Sequence, residues 1–328
     1  MTGEYKCSVE QCDVQDKNTL QQYREMRARW LGWLQTDPYH PIWSQVVALI
    51  DSDLMGRTIA CAADNDPESP LHNPMIKQTI VNGHRDGQVL GIRRLMSEGK
   101  DVISLHRLLM EMKRHSRIFT RENYVAGCGL PYGAACVSTP FSRPNITSNT
   151  ILGSAFESLN GPTGQFFRSK AAHEQFDRLC KTTDDNRNRL DRIPKALFDL
   201  LEEHVKGSGV ADIMKWSHQF IAHSGDATSK GWQDIQITFE KTEVVQRSIV
   251  QVIQLISGVL LQGPILFDIV PVAQYSRFAR LEKIVAPEAL RQARAKWKHL
   301  EIDRNSWLLN GSPQDLLAVV GWTWPPSS

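Results

Sequence analysis

Ile213, Trp216 and Phe220 recur three and four residues apart, the spacing of one helix face, and His223 follows seven residues after Trp216. The imidazole therefore falls on the apolar side of a helix, and Ser224-Gly225-Asp226 stops that helix just beyond it. An unperturbed imidazole titrates near about 6.5, so it can give or take a proton at neutral pH. General acid–base catalysis is the chemistry this position offers; a histidine hydrogen-bonded for stability at a helix end satisfies the same pattern. His218 lies five residues before His223, roughly 140° round the helix, so the two do not make the same-face pair of a helix-borne zinc site. Lys215 nearby, and Arg93, Arg94 and Arg107 earlier in the chain, are the candidates to bring positive charge across to the imidazole.

The phrase Phe220-Ile221-Ala222-His223-Ser224, followed by a polar turn and a long apolar helix, resembles the signature region of the HEPN superfamily. It is most similar to the abortive-infection branch, where an Ala-His pair closes the penultimate bundle helix. Arg93-Arg94-Leu95, a short break and Ser104-Leu105-His106-Arg107-Leu108-Leu109 are similar to the same branch, so the resemblance spans roughly residues 40 to 265. It implies an antiparallel helical bundle that pairs as a homodimer, with two His and two Arg lining one cleft. It also implies a metal-independent endoribonuclease or toxin-like effector of prokaryotic defence.

Such cleavage needs few groups. The 2′-hydroxyl loses a proton as it attacks the adjacent phosphate, the leaving oxygen gains one, and a cation, normally Arg, meets the charge on the phosphate oxygens. On the resemblance His223 is the acid or base, with Ser217, His218 and Ser224 positioning phosphate. The family's active members carry Arg five to seven residues before the His; Trp216, Ser217 and His218 stand there instead. The alternative is a catalytically silent HEPN-like module that binds RNA, a nucleotide or a protein partner such as an antitoxin. A third reading is a structural subunit using the Trp-rich tail or the 126–165 loop as a contact surface.

A chain of 328 residues, 41% hydrophobic and 23% charged, is long enough to bury a core without metal or disulfide help. Its net charge of +2 gives no strong global field, so any nucleic-acid contact must rest on a local patch. Arg291, Arg294, Lys296 and Lys298 beside Trp297 are such a patch, diluted by Glu288, Glu301 and Asp303. Six cysteines without a CxxC, and a polar start through Lys17, lead us to expect a reduced cytoplasmic setting with no structural metal and no cofactor. No nucleophile elbow or Walker motif occurs, and Gly127 to Gly133 lacks both phosphate-loop and dinucleotide spacing.

Helical spacing recurs along most of the chain, and the expected fold is all-α. The spacing predicts helices over 19–34, 42–63, 74–95, 101–115, 166–180, 190–204 and 213–223, then 239–261, 275–285, 287–300 and a short one after Ser312. Residues 126–165 read as an irregular loop. We expect an N-terminal helical segment (1–40), a HEPN-like bundle (41–267) and a helical C-terminal extension (268–328). The 239–261 segment approaches membrane-like apolarity. Its stripe of Arg247, Gln251, Gln254, Gly258 and Gln262 instead predicts a central helix of a bundle and no membrane span.

Overall fold

A computed structural model of the chain describes residues 7–39, 41–133, 162–222, 235–264, 266, 268–308 and 313–323. The fold is all-α, and no strand forms among the described residues. In chain order the helices are α1 (Lys17–Leu31), α2 (Ile42–Asp64), α3 (Pro74–Leu95), α4 (Leu105–Arg114), α5 (Arg121–Ala126) and α6 (Pro162–Cys180). They continue with α7 (Lys195–Val205), α8 (Ala211–Ser217), α9 (Phe239–Gln254), α10 (Pro287–Ser306) and α11 (Pro313–Val319). Wider π-helical turns extend α1 through Gly32–Thr36, α8 through His218–Ala222 and α9 through Leu255–Leu260, and one joins α7 to α8 over Lys206–Val210. Gly209 in that joint takes φ 89°, a left-handed conformation open to glycine.

The chain divides into two compact units. The first comprises Met1–Trp30, Glu111–Asp199 and Trp322–Ser328, the second Leu31–Met110 and Leu200–Gly321.

In the first unit, Leu20, Tyr23, Met26 and Trp30 are the buried stripe of α1. Phe119 stacks on Trp30 at 5.5 Å and meets Tyr23 edge-on at 5.6 Å, while Phe198 closes on Phe119 at 5.6 Å. The chain before α7 is not helical from Leu190, as the apolar spacing predicted. Residues 189–193 instead run beside 119–122: Arg121 N–H donates to Asp191 O at 2.9 Å, Glu122 N–H to Arg189 O at 3.1 Å, and Ile193 N–H to Phe119 O at 3.1 Å. Pro194 forbids the helix that the apolar residues suggested.

That pairing holds α5, a helix absent from the sequence reading. Thr120 caps it by accepting from Asn123 N–H at 3.2 Å, and all six of its residues are buried. Arg121 is fully enclosed and binds Asp177 at 2.7 Å, Asp191 at 2.9 Å and Thr182 Oγ1 at 2.5 Å. Burial pushes the Asp177 carboxyl up, but hydrogen bonds from Arg187 and Arg121 outweigh it and hold the carboxyl below the usual range. Trp322 docks in this unit, its Nε1–H donating to Arg178 O at 2.9 Å; Trp324 lies outside the described residues.

In the second unit α2 packs against α3 and α10, and α8 packs against α3. Close approach of α2 and α3 depends on Gly56, where a Cβ would overlap the His84 imidazole, and on Gly91, where one would lie 2.5 Å from Leu49 Cδ1. A charged cluster is sealed between α2, α3, α9 and α10. Asp53 is fully buried and accepts from Arg57 Nε at 2.9 Å and Arg304 Nη2 at 3.1 Å, and His84 Nε2 approaches it to 3.4 Å. Glu243 takes the other side of the two guanidiniums, 3.3 Å from Arg57 and 2.9 Å from Arg304. Burial raises the Asp53 carboxyl, yet the adjacent His84, Arg57 and Arg304 more than offset it, and the net displacement is downward.

Helix α9 begins at Phe239 as predicted, capped by Thr238 accepting from Lys241 N–H at 3.3 Å. It is the one helix among the described residues long and apolar enough to cross a membrane, and 72% of that apolar span is buried inside the protein. Its polar stripe faces partners: Gln251 meets His204 at 3.1 Å and Arg247 lies over the Trp307 ring at 5.2 Å. The helix predicted over 275–285 does not form. Turns occupy that stretch, with Arg280 at φ 67° and one 3₁₀ turn at Leu281–Lys283, and its apolar Val285 joins Ala62, Ala289, Leu290 and Ala293 in a cluster. The irregular loop predicted for 126–165 holds over 127–133, α6 begins at Pro162, and 134–161 lie outside the described residues.

Candidate functional site

The stretch from α8 into the following π-helical turn presents two faces. Ile213, Trp216 and Ser217 are buried, whereas Phe220 is 45% exposed and His218 is exposed as well. Trp216 and Phe220 stack at 4.9 Å with planes 26° apart, but Phe220 is not packed away as the apolar spacing predicted. His223 and Ser224 fall outside the described residues.

Helix α3 supplies the neighbouring charge. Arg93 Nη1 donates to Ser217 Oγ at 3.2 Å, and the Arg85 guanidinium covers the Trp216 ring at 4.9 Å. Ser217 is fully buried, so its hydroxyl meets the half-buried guanidinium away from bulk water. Ser217 also stands six residues before His223 in the sequence.

The other charged candidates disperse. Arg94, next to Arg93, is rotated away by the 100° step of the helix. It is exposed and lines a separate cavity of about 410 Å³ with Tyr39, Gln88 and Gly91. Arg107 lies over the Trp33 ring at 4.6 Å and donates to Val102 O at 3.3 Å. Lys215 is half-buried on α8. Of the charged residues singled out from sequence, Arg93 alone is brought onto Ser217; Arg85 was not singled out, and its signal was its place two turns before Arg93 on the same helix.

Two of the four cations of the basic patch on α10 pair with carboxylates of the same helix. Arg291 pairs with Glu288 and Lys298 with Glu301 at 2.9 Å, while Trp297 is half-buried beneath Arg277 at 4.5 Å and against Phe278. Two cysteines are poor nucleophiles: burial pushes the Cys180 thiol up to about 12, and burial with a hydrogen bond shared with Cys7 raises Cys12 despite the adjacent Arg24. Among the described residues no three metal-ligating side chains converge. Comparison with protein-family models, curated proteins and solved structures returns no match for this chain.

Proposed function

We propose that this chain is a HEPN-like, metal-independent endoribonuclease of the toxin-like, defence-associated kind, acting in the cytoplasm as a homodimer, with His223 as acid or base. The observation that carries the reading is the Arg93–Ser217 contact. In-line attack of a 2′-hydroxyl on its phosphate gathers charge on the non-bridging oxygens, and a planar guanidinium is the group that best meets it. Arg93 supplies that guanidinium in place of the motif's own Arg. Ser217 orients it by accepting one of its N–H bonds and leaves other donors for phosphate.

A second reading, a catalytically silent module that binds RNA, a nucleotide or a protein partner, is favoured by the complete burial of Ser217, which ties the guanidinium into the packed α3–α8 contact. Cleavage of a mixed RNA pool in EDTA by wild type and His223→Ala separates the two. The enzymatic reading requires cleavage that disappears in the variant while fold and oligomeric state persist; absence of cleavage by wild type selects the silent module, and equal cleavage by both removes His223 from the mechanism.

A further inference from the structure

Two thiols meet at the start of the first unit. Cys7 and Cys12 stand on either side of the 3₁₀ turn Val9–Gln11, with four residues between them. That turn is pinned at both ends: Ser8 N–H donates to Gln11 Oε1 at 3.1 Å and Cys12 N–H to Val9 O at 3.2 Å. The bend brings Cys7 Sγ to 3.0 Å from Cys12 Sγ, and both cysteines are free thiols. Most cysteine pairs cannot bond because their side chains point apart; sulfurs already in contact need little backbone movement.

The two thiols differ in surroundings. Cys12 is buried with Val14, Leu20 and Ala126, whereas Cys7 sits half-buried at the edge of that cluster and makes an exposed hydrogen bond to Ser8 O at 3.3 Å. Arg24, 3% exposed, grips the inner sulfur: its Nη2–H donates to Cys12 Sγ at 3.1 Å and to Ala126 O at 2.9 Å, and its Nη1–H to Cys7 O at 2.9 Å. Burial and the contact with Cys7 keep the Cys12 thiol protonated, while the guanidinium stands ready to meet its charge when the proton leaves. We propose that Cys7 and Cys12 are a peroxide-reactive pair that closes reversibly to a disulfide, Cys7 reacting first and Cys12 resolving. The Cys7 thiolate attacks one oxygen of a hydroperoxide; an S–O bond forms, the O–O bond breaks, and the departing alkoxide or hydroxide takes up the proton the thiol gave away. The Cys12 sulfur then attacks the sulfenic sulfur of Cys7; the S–S bond forms, the S–O bond breaks, and hydroxide leaves as water with the Cys12 proton. The two thiols lose two electrons and the peroxide gains them. A dithiol reductant restores the pair by exchange.

The proposal is independent of the cleavage reading. Trypsin cuts after Lys6 and Lys17, so one peptide carries both cysteines. The reduced full chain is treated with equimolar hydrogen peroxide in EDTA, blocked with iodoacetamide, digested and weighed. The expected peptide is lighter by two hydrogens and unblocked at both cysteines, and dithiothreitol before blocking restores both blocks. In a glutathione redox buffer the pair should favour the disulfide at least roughly tenfold more in the folded chain than in urea, because the fold holds the sulfurs together. Cys12→Ser should leave Cys7 as a sulfenic acid that dimedone captures. In Cys7→Ser, capture at Cys12 should be at least roughly tenfold slower, as burial and a raised thiol require. Melting temperatures check that both variants fold; if either does not, the comparison of folded with urea-unfolded wild type decides. Two blocked cysteines in the peroxide-treated wild type, a disulfide no more favoured folded than in urea, or a Cys12 as quickly captured as Cys7, overturns the proposal.

Discussion

Arg93 Nη1 and Ser217 Oγ lie 3.2 Å apart, joining α3 to α8 across 124 residues of sequence. The contact places an α3 guanidinium on α8 six residues before His223 in the sequence, and the proposed cleavage depends on it. Arg93→Ala should therefore lower RNA cleavage by about a hundredfold or more, the scale on which loss of a charge-stabilising donor acts. Arg93→Lys should recover part of that loss, because an ammonium keeps the charge and loses the planar fork. Initial rates on a defined RNA check both; an Arg93→Ala rate equal to wild type removes Arg93 from the chemistry.

Asp53 is the shared acceptor of Arg57 and Arg304 inside the second unit. Asp53→Ala leaves Arg304, 1% exposed, with a buried charge that Glu243 and Asp303 only partly answer. The expected loss is about 3–5 kcal/mol, read as a lower urea midpoint. A loss under about 1 kcal/mol would show that water or rearrangement compensates the guanidinium.

Asp53 and Asp177 are both held below their ordinary carboxylate range in the folded chain. A carboxyl with a depressed folded-state pKa binds fewer protons folded than unfolded. Its contribution is present above the unfolded value of about 4 and disappears as pH falls through the folded value. Melting temperature should therefore fall as pH is lowered below about 4. Asp177→Asn should flatten that fall, and an unchanged slope would mean that Asp177 is not held low.

Gly56 and Gly83 make opposite predictions on facing helices. A Cβ at Gly56 meets the buried His84 ring, whereas one at Gly83 meets nothing within 4 Å. Gly56→Ala should destabilise by about 1–3 kcal/mol through overpacking. Gly83→Ala should stabilise by about 0.5–1 kcal/mol, because alanine loses less backbone freedom in a helix. Chemical denaturation of the two variants checks the pair, and a neutral Gly56→Ala would show that α2 and α3 separate cheaply.

Helices whose apolar residues all face one packed side were legible from sequence. Leu20, Tyr23, Met26 and Trp30 on α1 and the span of α3 behave as their spacing predicted. Helix α5 was not legible, because Arg121, Glu122 and Asn123 supply no apolar spacing and are buried only by partners at Asp177, Asp191 and Gln15, far away in sequence. Leu190 and Ile193 mimicked a helix while their backbone was committed to residues 119–122, and Pro194 was the overlooked signal. In the candidate site the shared helix face of Trp216 and Phe220 followed from local spacing. The choice of Arg93 over Arg94 did not, since two adjacent arginines differ only in the direction each leaves the helix.

The central claim is that His223 and Arg93 act as one unit on RNA. Single-turnover cleavage of one defined RNA in EDTA, by wild type, His223→Ala, Arg93→Ala and the double variant, tests it most directly. The account predicts that each single variant loses most of the activity and that the double variant loses little more, the non-additivity of groups serving one transition state. Wild-type cleavage that persists in Arg93→Ala, or losses that simply multiply in the double variant, would contradict it.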